Sequence, residues 1–142
     1  MEIALLRKSV QQAIEGAKRD AAARRARADE ARRAYDQFLD QQAVPVFRAI
    51  ANVLRSEGLL FDVMTPAGGV RLVPERTRED GIELGLDASF APPRPTLTVV
   101  RTRGSRSVRS ERALKDAARI DALSEDDVVA ALLDELVPWL ER

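Results

Sequence analysis

The sequence predicts an α+β fold: a long, coiled-coil-like N-terminal helix, then a small antiparallel β-sheet of four to five strands covered on one face by a short helix and a C-terminal helix. Three observations predict it. Residues 2–41 contain no proline and one glycine, Gly16. Between residues 59 and 110, apolar and polar residues alternate in short runs separated by Pro- and Gly-containing turns. From Val128 to Leu140 the apolar residues return to helical spacing. Two units are expected: residues 1–41 as the long charged helix, and residues 42–142 as a compact domain.

At about 1.5 Å per residue the first helix would be roughly 60 Å long, whereas the remaining chain folds to a radius of gyration of about 13 Å. The helix therefore outruns its domain. Ile3, Leu6, Val10, Ile14 and Ala17 recur at steps of three and four, a narrow stripe of the kind that pairs with another helix. Ala21–Ala34 is nearly all Ala, Arg and acid, and its helicity follows from propensity. Glu15–Arg19, Asp20–Arg24 and Asp29–Arg33 add acid-before-base pairs four apart, each contributing about 0.2–0.5 kcal/mol. The apolar stripe resumes at Ala31, Tyr35, Phe38 and Leu39.

Pro45 is expected to break or kink the helix. Val46, Phe47, Ile50, Val53 and Leu54 then give a second amphipathic helix over 46–57, stopped by Gly58. Leu59–Thr65 and Val70–Val73 flank Pro66-Ala67-Gly68-Gly69 as a hairpin. Pairing Thr65 with Val70 puts Phe61, Val63, Val70 and Leu72 on one face. Residues 74–80 form a charged loop, and Ile82, Leu84 and Leu86 mark a third strand. After the proline-rich 88–95 loop, Thr96–Arg103 and Arg106–Ser110 make a last hairpin about Gly104-Ser105, a type II′ pair. Residues 111–123 leave room for a short helix. Ser124 caps the final helix, whose apolar face is expected to comprise Val128, Val129, Leu132, Leu133, Leu136, Val137 and Leu140, with Pro138 disturbing the last turn.

Composition narrows the function. The 142 residues hold 23 basic and 23 acidic side chains, a net charge of zero, which supplies no global steering toward nucleic acid or membrane. There is no Cys, so there are no disulfides or thiolate sites, and no His, the commonest general base and zinc ligand. Glu2, Arg7 and Lys8 interrupt the short apolar start, unlike a signal peptide, and no run reaches the roughly 20 apolar residues of a membrane span. The expectation is a cytoplasmic, non-enzymatic protein with no catalytic residue, cofactor or metal. It self-associates as a homo-oligomer (a dimer), or binds a helical partner, through Ile3, Leu6, Val10, Ile14 and Ala17, with no membrane involved.

The alternative is nucleic-acid or anion binding through the arginine hairpin Arg101, Arg103, Arg106 and Arg109. Residues 96–115 carry a net charge of +5. With Gly104-Ser105 at the turn, Arg103 faces Arg106 and Arg101 lies two residues back, an arrangement of like charges that an anion would relieve. The order of elements is similar in layout, though in no motif, to that of some dimeric bacterial nucleoid-associated proteins. Two acidic groupings are weaker candidates. Residues 121–142 carry a net charge of −6, which could complement the hairpin, and Asp62, Glu83 and Asp87 share a sheet face with Arg71, which lies diagonal to Asp62 and is expected to pair with it.

Overall fold

The structure is a computed structural model and describes residues 1–115 and 119–141. It is α+β: a long N-terminal helix, a five-stranded antiparallel sheet in the order β1-β2-β3-β4-β5, and a C-terminal helix. The long helix is α1 (Ile3–Phe38), a π-helical turn (Leu39–Ala43) and α2 (Val44–Ser56) in one path of about 80 Å. The break considered at Pro45 does not occur. The π turn just before Pro45, with the Val44 N–H donating to Leu39 O, carries the helix past the residue that lacks an N–H. The chain thus passes residue 41 inside a helix, and Tyr35, Phe38 and Leu39 before it already belong to the core.

Helix α2 ends in a Schellman motif: Gly58, with φ of 84°, donates to Arg55 O, and Leu59 donates to Leu54 O. Val46, Phe47, Ala51 and Leu54 are buried, while Val53 is not; it lies about 100° from Leu54 around the helix. The first hairpin, β1 (Phe61–Met64) and β2 (Val70–Pro74), has the expected register, Val63 opposite Leu72. Its loop closes through the Gly69 N–H to Pro66 O, with Gly68 at φ of 73°, the type II position that favours glycine. Strand β3 (Gly81–Asp87) follows. Gly81 has φ of 150°, and a Cβ there would lie 2.6 Å from Leu72 O. Gly81→Ala is therefore expected to lower stability by about 1–3 kcal/mol, read as a reduced urea midpoint at unchanged slope.

The last hairpin is longer than expected, with β4 at Arg94–Arg103 and β5 at Arg106–Ala113. Leu114, fully buried, donates from its N–H to Pro95 O and pulls the strand onward past Ser110. Within 111–123 the structure shows a 3₁₀ turn, Ile120–Ala122, while residues 116–118 lie outside the described residues. Helix α3 (Glu125–Leu140) opens with a capping box between Ser124 and Asp127. The Ser124 N–H bond holds the Asp127 carboxyl below its ordinary range, and Lys115 adds to the effect.

Helices α2 and α3 cover one sheet face, over Phe61, Val70, Leu72, Ile82, Leu84, Leu97 and Val99. The expected seven-residue face of α3 is corrected: Val128, Leu132 and Leu136 are buried, but Leu133, Val137 and Leu140 stay exposed. Trp139 takes their place. The helix turns to lay this largest apolar side chain edge-on against Phe61, with ring centroids 6.3 Å apart. The helix runs through Pro138 to Leu140.

Candidate functional site

Tyr35 marks where the long helix leaves the domain. It is 1% exposed and its hydroxyl donates to Gly68 O at 2.7 Å, tying the helix to the β1–β2 loop. Burial, with the Asp36 and Glu83 charges adding to it, pushes the phenol well above its ordinary value, so this donor keeps its proton. N-terminal to Tyr35, Ala31 and Ala34 pack against the core, and Ala28 is partly covered. Beyond that the helix is an overhang. Ile3 and Leu5 are each 62% exposed, and Leu6, Val10 and Ile14 are 43–49% exposed. Ala17 is exposed as well. All five residues of the predicted stripe therefore stand on helix that the chain's own domain does not reach.

Where the overhang begins, loop 88–95 and the turn at Ile120 flank α1. They form two shallow clefts of about 360 and 350 Å³. The second has a basic rim, Arg24, Arg25, Arg27 and Arg32, over an apolar floor that includes Phe90 and Pro92. Phe90 is 42% exposed and stacks under the Arg94 guanidinium at 4.7 Å. The sequence marks residues 88–95 as a proline-rich loop but does not place it on α1. The signal available for it was the stripe of small residues Ala28, Ala31 and Ala34, which lets a loop approach closely.

The arginine hairpin has the expected register: Arg103 pairs with Arg106, and Arg101 lies two residues back on the same face. Gly104 alone of the turn pair has positive φ, 62°, as a type II′ turn requires. Arg101 is half-buried, while Arg103 and Arg106 are exposed. Arg109, opposite Val100, falls on the other face and pairs with Glu111 at 3.4 Å, which leaves Arg101, Arg103 and Arg106 together on one face of the tip. The acidic C-terminal segment does not reach that tip. Asp134 and Glu135 meet Arg112 at the base of β5, and Asp127 meets Lys115.

The polar sheet face does not assemble its carboxylates. Asp62 pairs with Arg78 at 3.0 Å and Arg55 at 3.5 Å. Asp87 accepts from the Ser89 N–H and hydroxyl, which lowers its pKa. Arg71, expected to pair with Asp62, instead donates to the carbonyls of Arg78, Glu79 and Asp80. That loop folds back on the sheet because Asp80, 3% exposed, accepts from the Thr102 hydroxyl at 2.7 Å. Among the described residues, no three His, Cys, Asp or Glu side chains gather as a metal ion would need, and no helix is long and apolar enough to cross a membrane. No protein-family model, curated protein or solved structure matches this chain.

Proposed function

We propose that this chain is a non-enzymatic interaction or scaffold protein whose working surface is the apolar stripe of the helical overhang, Ile3, Leu6, Val10, Ile14 and Ala17. The observation that carries this reading is the exposure of four large aliphatic side chains on one side of a helix that extends past its own domain. A helix whose only task is to cover the sheet would end near Ala28. Covering these side chains in a helix pair contributes roughly 1 kcal/mol each beyond their present burial, on the order of 8 kcal/mol for two copies. Association costs about 4–15 kcal/mol, which leaves no surplus for an obligate complex, so the pairing is expected to be reversible. Light scattering of the full chain at high micromolar concentration tests the reading: a dimer is expected, and Val10→Asp with Ile14→Asp is expected to return it to monomer. A wild-type monomer at that concentration would remove self-association from the proposal.

A second reading, anion or nucleic-acid binding at the β4–β5 tip, is favoured by one observation: among the described residues, no carboxylate pairs with Arg101, Arg103 or Arg106. It predicts duplex binding that weakens steeply with salt. Changing all three to Glu is expected to cut affinity more than about tenfold and to flatten the salt dependence by about one unit for each phosphate no longer neutralised. Binding that is indifferent to this triple change would take the hairpin out of the reading.

A further inference from the structure

The free stripe and the domain-packed stripe lie on nearly one side of the helix. Ile14, Ala17 and Ala21 lead by alternating steps of three and four through Arg24 to Ala28, Ala31, Tyr35 and Phe38. At about 100° per residue, the mean directions of the Ile3–Ala17 and Ala28–Phe38 stripes differ by only about 60°. The domain therefore sits on the side toward which the free stripe faces, and this constrains what can cover that stripe. A second helix laid parallel on Ile3–Ala17 would run, beyond Arg24, into loop 88–95 and the turn at Ile120, which hold that side of the helix. A helix laid antiparallel departs past the N-terminal end and meets nothing.

Resting on the self-association reading, we infer that the occupant of the stripe is a second copy of this chain, antiparallel, with Val10 and Ile14 beside the two-fold axis. The side chains suit this order. Ile3 and Leu6 of one copy come against the small residues Ala17 and Ala21 of the other, large on small, over about 30 Å of helix. The charges suit it too. Glu2 lands in the basic stretch from Lys18 to Arg25, whereas a parallel pair would set Arg7 and Lys8, and then Arg24, Arg25 and Arg27, against their own copies. The first turn, with exposed Ile3, ends beside the cleft with the apolar Phe90–Pro92 floor.

The sequence has no Cys, so a single introduced thiol is unambiguous. Val10→Cys, Ile3→Cys and Ala21→Cys all fall on the overhang, clear of the core. With a short bismaleimide, Val10→Cys is expected to give a covalent dimer. Ile3→Cys, with its copies about 25 Å apart, is expected to give about tenfold less alone, and to recover when mixed with Ala21→Cys. Efficient crosslinking of Ile3→Cys by itself, with no gain on mixing, would overturn the antiparallel order. If light scattering still showed a dimer in that case, the self-association reading would stand without it. A monomer in light scattering, with no crosslinking at any position, would overturn both.

Discussion

Removing residues 1–23 is expected to leave a folded, cooperative domain and to abolish self-association. Among the described residues nothing in the core lies before Ala31, and the cleft against loop 88–95 begins at Arg24, so the cut spares the core and that cleft. The melting temperature of the shortened chain is expected to stay within about 5 °C of the full chain measured dilute, because 1 kcal/mol shifts a domain of this size by only a few degrees. Light scattering should read a monomer at concentrations where the full chain is expected to be a dimer. The position of the cut matters. Removal of residues 1–40, the natural choice from sequence, would also take away Tyr35, Phe38 and Leu39, all buried, together with the Tyr35 hydroxyl bond to Gly68 O. That longer deletion is expected to unfold the protein and would say nothing about the overhang.

Phe47→Ala is expected to be among the most damaging single substitutions. The ring is fully buried in α2, within the cluster that α2 forms with the sheet and α3. Large-to-small changes of this kind cost about 3–5 kcal/mol, from lost transfer energy and the cavity left behind. Against a typical total of about 5–15 kcal/mol, that is enough to bring a domain of this size close to unfolding at 37 °C. Chemical denaturation should show a much lower midpoint at unchanged slope, while the substitution leaves the overhang's composition untouched. A loss below about 1 kcal/mol would mean that the α2–sheet interface is less closely packed than the burial indicates.

Much of the fold was legible wherever a turn set the register. Gly68 and Gly104 sit at the positive-φ positions of their turns, so the pairing of Val63 with Leu72 and of Arg103 with Arg106 follows from counting outward. The Gly58 stop was equally legible, because a left-handed residue after a helix is a local requirement. What was not legible depended on contacts distant in sequence. Pro45 reads as a helix breaker, yet the π turn before it lets the helix continue, and the buried flanking residues Leu39, Ala43, Val46 and Phe47 reward that continuity. The rotation of α3 was hidden because Trp139 and Leu140 compete for the same interior, and Phe61, far away in the chain, decides it. The polar sheet face was misread in its partners because the 75–80 loop folds back on Asp80 and Thr102.

The candidate surface divides the same way. The stripe Ile3, Leu6, Val10, Ile14 and Ala17, and the excess of helix over domain, were determined by the sequence alone, because helical periodicity and propensity act within a few residues. Which side of that helix the domain occupies was decided only by the tertiary structure. It depends on Tyr35 reaching Gly68 and on loop 88–95 closing over Ala28–Ala34, contacts whose free energy comes from burying surfaces that are far apart along the chain. That placement gives the exposed stripe a defined free side, and it sets the direction from which the proposed second copy would approach.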